Sequence, residues 1–424
     1  MRKQWISILI VGLAFGTAWA IRGQFGHEQG AAWAAGIGAL AMVLVARRKD
    51  WYSRMLLIAL SSAIGWGAGG MISYGQVVGY GRSIDFPNAM YGLLMLFVIG
   101  GLYGLLGGGF VGLTLASSNE KRVNWGSLVA EMAAGGLIAY SFLIGQLEIL
   151  MTPPRSEAWA VCLGAGIAML WHMVRNNFNA PLRVAFFSAM GAGFGFAFGN
   201  FLQILGNVLE IDFNMWNVME YSIGFFGGIA MAYGVFTSHW PEESLIPERW
   251  ENKAAFLLLF VFIPLVVFTN SRFWEVIQNN STIQKNPDDL THFAAFASLT
   301  VIIAVAVLGG LRALRSESSF SRQDTIFFFM LYFGAYIFIS YCVTGAFSGI
   351  FHLNHHLYIV NYIVVMVLLG KKFPAFFDHS GLSIKGTRWL LYLAAVLVII
   401  LVLVVILINI HGELNGSHTR FPIS

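Results

Sequence analysis

An all-α, polytopic membrane protein is what this chain predicts, and three observations carry the prediction. Of its 424 residues, 57% are hydrophobic and 11% charged, against roughly 25% charged in an ordinary soluble domain, which leaves too little polar surface to cover a globule in water. Apolar segments of membrane-crossing length follow one another along the whole chain. Lys and Arg recur as short clusters in every second connection between those segments.

Taken in order, the apolar segments lie near 5–21, 30–46, 55–80, 89–116, 126–147, 157–174, 183–205, 217–237, 254–270, 293–311, 325–348, 357–370 and 388–410. At about 20 residues per crossing these make about thirteen spans. The first twenty residues also have the basic start and small-residue end of a signal peptide, but the following IRGQFGHEQG continues as a hairpin tip, so the first span is read as retained. The basic clusters are Arg2-Lys3, Arg47-Arg48-Lys49 with Arg54, Lys121-Arg122, Arg175 with Arg183, Arg249 with Lys253, Arg312 with Arg315 and Arg322, and Lys371-Lys372 with Lys385 and Arg388. The positive-inside rule makes those connections cytoplasmic, the N-terminus inside and the C-terminus outside. The net charge of +4 is therefore topological, and no nucleic-acid partner is implied. Residues 345–370 have the polar interruptions of a re-entrant segment. The last span, VLVIILVLVVILI, is apolar all round and so lipid-facing.

Spans going outward end in glycine followed by an amide, at Gly23-Gln24, Gly75-Gln76, Gly145-Gln146 and Gly199-Asn200, and AAWAAGIGALAM at 31–42 matches EAWAVCLGAGIAM at 157–169. The offsets are all close to 124 residues, which predicts two tandem four-helix repeats, 1–122 and 123–240. An even number of spans keeps orientation, so the repeats would be related by a pseudo-two-fold axis along the membrane normal. A proline-containing linker, 238–253, then leads into a C-terminal five-helix region, 241–424. Glycines spaced three or four apart, as in Gly65/Gly69, Gly100/Gly104/Gly108/Gly112 and Gly191/Gly195/Gly199, predict close helix packing.

Polar residues concentrate at the outer tips. The first tip carries Arg22, Gln24, His27 and Glu28; the second Tyr74, Gln76, Tyr80, Arg82 and Asp85; the third Gln146, Glu148 and Arg155; the fourth Asn200, Gln203, Glu210, Asp212, Asn214, Trp216, Asn217 and Glu220. Ionisable groups this close to hydrocarbon predict a shared outward-facing cavity. Under the repeat, Asp85 falls opposite Glu210 and Glu28 opposite Glu148. Arg22 reads as a clamp on Glu28, while Trp33 and Trp159 read as interface anchors. Glu131 reads as a packing or snorkelling residue.

Glycoside cleavage needs two carboxyl groups, one protonated and one ionised, and Glu28 with Glu148 is the pair this pattern favours. The other tip residues would bind substrate. Helical hairpins with carboxylate-bearing tips, together with Arg22-Gly-Gln24-Phe-Gly-His27-Glu28, resemble the helical-toroid glycosidases and the integral-membrane glycoside hydrolases, over residues 1–240 at most. That resemblance implies a membrane hydrolase with a carbohydrate or glycolipid as substrate, and the charge topology puts its active face outward in a plasma membrane, the inner membrane of a bacterium. The resemblance assigns no residue a role. A secondary transporter of a small polar solute and an acyl- or glycosyltransferase remain open alternatives. No cofactor is implied, since no nucleotide, nicotinamide or haem motif occurs. The turn His352-Leu-Asn354-His355-His356 could offer imidazoles to a metal, but it reads first as a polar interfacial turn, so no metal is expected.

Overall fold

The computed structural model describes residues 2–243, 245–270, 277, 286–315, 319–346, 353–377 and 386–422. The described residues form helices and turns without a strand. Among the described residues, twelve helices are long and apolar enough to cross a membrane, or thirteen if a bent pair counts as one span. All-α, polytopic architecture is thus what the chain adopts.

In order these are α1 (Arg2–Arg22), α2 (His27–Ala46), a short α3 (Lys49–Ser53), α4 (Met55–Gly70), α5 (Gly75–Gly81), α6 (Phe86–Ala116), α7 (Trp125–Ala139), α8 (Glu157–Arg175), α9 (Asn179–Val208) and α10 (Met215–Phe236). There follow α11 (Arg249–Leu257), α12 (Ile263–Asn270), α13 (Pro287–Arg315), α14 (Arg322–Val343), α15 (Leu353–Gly370) and α16 (Gly386–Ile410). Single π-helical turns, Tyr140–Gln146 and Leu258–Phe262, extend α7 and join α11 to α12. Local chemistry sets the starts. Asp85, Asn124 and Asn214 accept the backbone N–H of Asn88, Ser127 and Asn217, and Ser321 with Asp324 forms a reciprocal box.

Six helices close into a ring in which α1 packs on α2, α2 on α4, α4 on α6, α6 on α9, α9 on α10, and α10 back on α1. Glycine allows the approach. A Cβ on Gly65 would stand 2.6 Å from the Leu106 carbonyl oxygen, and one on Gly195 2.5 Å from that of Ser222. In a bilayer such backbone proximity substitutes for the hydrophobic drive that lipid cannot supply. The ring's interior is filled by Phe15, Trp19, Trp66 and Tyr103, all fully buried, with Trp66 edge-on to Phe15 at 4.8 Å and to Trp19 at 5.3 Å.

The α7–α8 hairpin lies outside this ring, joined through α8, and only 11% of the residues in its outer crossing, Trp125–Gln146, are buried. Of the C-terminal helices, α14 packs on α2 and α15 on α1, whereas α16 packs on α6 and α9, the helices that α8 also touches. Trp33 is fully buried rather than an interface anchor, because it stacks on Tyr332 at 5.3 Å and donates to that residue's carbonyl; Trp159 is buried as well. The last span, α16, is 22% buried, as its all-round apolar character requires.

Basic clusters gather at one end. Arg47 donates to the Lys371 carbonyl, Arg48 to Pro241 and Glu242, Arg54 to Ser117, Lys121 to Asn177 and Arg322 to Leu369. The break in the ring is at the opposite end. Residues 55–80, read as one span, are two helices at 67°, whereas α15 is continuous. The bend among the described residues lies at 71–74; residues 347–352 of the expected re-entrant segment 345–370 lie outside the described chain.

Candidate functional site

The break opens beside a cavity of about 530 Å³. Its walls come from the end of α1 (Gly23, Gln24), the start of α2 (His27), residues 71–75, the tip residue Arg155, and the start of α10 (Asn214, Trp216, Asn217, Glu220). At 1.5 Å per residue α4 covers about 24 Å before it stops, so the cavity floor sits within the far part of a bilayer about 30 Å thick. Non-helical backbone at that depth must be satisfied by its neighbours. Tyr103 donates its hydroxyl to the Ile72 carbonyl at 3.3 Å, and Ile72 and Met71 donate back to the last turn of α4.

Beneath the cavity lies a buried charged network. Arg22, with no exposed surface, is sandwiched against the rings of Trp19 (4.8 Å) and Tyr74 (5.8 Å). Its guanidinium pairs with Glu220 at 3.3 Å and donates to the Tyr74 hydroxyl at 3.3 Å and the His27 carbonyl at 3.2 Å. Tyr74 in turn donates to Glu220 at 2.5 Å. One residue from each of α1, α10 and the break is therefore locked into a single unit. A buried pair of this kind requires both partners, because either charge alone would be stranded in a low-dielectric interior.

Arg22 pairs with Glu220, not with Glu28. Helical side chains tilt toward the N-terminus of their helix. At the end of α1 that tilt carries Arg22 down into the bundle, and near the start of α10 it brings Glu220 up to meet it. In the first turn of α2 the same tilt sends Glu28 toward the outside, where it is half-buried and does not line the cavity. Glu148 stands exposed with φ 50° at the tip of the outlying hairpin, so the two do not face each other across an axis. Asp85 is the cap of α6, bonded to Asn88, and Glu210 and Asp212 are exposed.

Of the remaining expected binding residues, Gln24, His27, Trp216 and Glu220 line the cavity. Gln24 also accepts from Ser340 and contacts His355, tying the cavity wall to the C-terminal helices. Arg82 lies 5.5 Å over the Trp216 ring and donates to the Asn415 carbonyl. Tyr80 packs on Tyr91 and His418. Asn200 donates to Gln203, both fully buried within α9, while Gln76 is half-buried on α5 and Gln146 is exposed. His352 lies outside the described residues, and no metal-ligating cluster occurs among those described. Ser73 and Tyr103 were not anticipated as site residues, although an apolar run of 26 residues interrupted by GAGGMISYGQ is long enough to hold a bend. No model of a known family, no curated protein and no solved structure matches this chain.

Proposed function

We propose that this protein is a secondary transporter of a small polar solute, overall neutral, which binds in the cavity at the broken span. The observation that carries the reading is the coincidence of the break at 71–74 with the buried Arg22–Glu220–Tyr74 unit. Interrupted helices beside an intramembrane ion pair are the arrangement transporters use, because an unwound segment offers backbone polar groups and changes shape at little cost. The wall residues suit a hydroxyl-bearing solute: amides from Gln24, Asn214 and Asn217, the Ser73 hydroxyl, the flat face of Trp216 and the Arg155 guanidinium, with the Glu220 charge balanced by Arg22.

Glycoside cleavage remains the competing chemistry. It asks for two carboxyl groups about 5–9.5 Å apart, and among the described lining residues Glu220 is the one carboxylate, already engaged by Arg22 and Tyr74. We therefore place transport ahead of hydrolysis, with the cavity facing outward and the basic end in the cytoplasm. The test is uptake into proteoliposomes from a panel of radiolabelled monosaccharides, polyols and amino acids, with chromatography of the recovered label. An intact solute taken up by wild type and not by Glu220→Gln supports the proposal. Release of cleaved sugar without uptake would replace it with the hydrolase.

A further inference from the structure

A second cavity, of about 560 Å³, opens near the basic end between α4, α6, α7 and α8. Its walls are apolar, from Leu60 and Ile64 on α4, Phe110 on α6, Val129 on α7 and Val161 on α8. It is open sideways, since Ile64 is 49% and Val129 56% exposed on surfaces that face the bilayer. Arg54, Ser61, Thr114, Ser117 and Glu251 interrupt it, and two of them carry a polar atom with no partner. Arg54, 5% exposed, gives Nη1 to the Ser117 carbonyl at 3.0 Å and leaves Nε without a partner; Thr114, 4% exposed, leaves its hydroxyl without one. From Arg54 to Ile64 the groove runs about 15 Å along α4, half of a hydrocarbon core about 30 Å thick.

We propose that this groove holds one acyl chain of an anionic phospholipid from the leaflet at the basic end, with the lipid phosphate at Arg54. An apolar slot one leaflet deep, opening to the bilayer and headed by a buried guanidinium with an unused donor, matches an amphiphile with one negative head. Basic pockets between membrane helices take anionic headgroups for this reason. Burial lowers the Arg54 pKa to about 10, with Asp50 and Glu251 acting against that shift, so the group is charged at neutral pH. Glu251 also lines the mouth, but one of its carboxylate oxygens accepts the Glu248 N–H at 2.7 Å within the cap of α11. Trp125, 36% exposed, stands at the rim where an indole meets headgroups.

Native mass spectrometry of the full chain, delipidated and then titrated with dioleoyl phosphatidylglycerol or dioleoyl phosphatidylcholine, tests this. One phosphatidylglycerol should be retained in preference to phosphatidylcholine, and Arg54→Gln should lower that occupancy about tenfold, the loss of a charge-assisted headgroup contact. Val129→Trp, which fills the groove from its lipid-facing side, should lower it comparably. Should Arg54→Gln fail to fold by circular dichroism and gel filtration, Val129→Trp decides alone. Equal retention of the two lipids, or unchanged occupancy in either folded variant, would overturn the proposal.

Discussion

Arg22 decides what its neighbours can do, because a guanidinium with no exposed surface depends on Glu220, Tyr74, His27 and the Trp19 ring to answer its charge. Removing one partner strands the other, so Arg22→Ala and Glu220→Ala should each lower stability by about 3–5 kcal/mol. The double variant Arg22→Met/Glu220→Leu, with no charge left to strand, should cost far less than their sum, and melting in detergent across the double-mutant cycle checks this. Tyr74→Phe should cost about 1–3 kcal/mol through the lost hydroxyl between the two charges. Arg22 and Glu220 were both legible in the sequence as tip residues. Their pairing was not, since sequence proximity favoured Glu28 and only the placement of α10 beside α1 supplies Glu220.

Among the elements, the glycine spacing was legible and the break was not. Gly65 meets the α6 backbone as its spacing in the sequence implies, so Gly65→Val should lower stability by about 1–3 kcal/mol through overpacking. Gly23→Ala, whose Cβ meets nothing within 4 Å, should stay within about 0.5 kcal/mol; thermal unfolding of the two variants side by side measures the difference. The run 55–80 hides its bend because hydropathy does not distinguish one long tilted helix from two shorter ones. Glu131 reads in the sequence as a packing or snorkelling residue, and in the structure it latches the outer hairpin, bonded to Arg175 at 2.5 Å and His172 at 3.2 Å.

For the whole molecule, helix number and the one-ended grouping of basic residues followed from hydropathy and charge, whereas the ring did not. Internal similarity of α1–α2 to α7–α8 predicts equal roles, yet α2 packs along α4 while α7–α8 sits outside, and Trp33, Tyr332, Tyr336 and Gln24 weld the C-terminal helices to the first hairpin. These are side-chain fits between distant segments, which periodicity does not encode. With the basic clusters in the cytoplasm, as proposed above, a cysteine at position 28 should react with an impermeant maleimide on intact cells and one at position 120 should not. A secondary transporter exposes its binding site to each face of the membrane in turn, which asks more of the break. The direct measurement is labelling of Ser73→Cys, with Cys162 and Cys342 replaced by Ala, by that reagent in right-side-out and inside-out vesicles. Modification from both faces, slowed in Glu220→Gln, is expected of a transporter, and reactivity confined to one face in wild type and variant alike would rule out transport through the break.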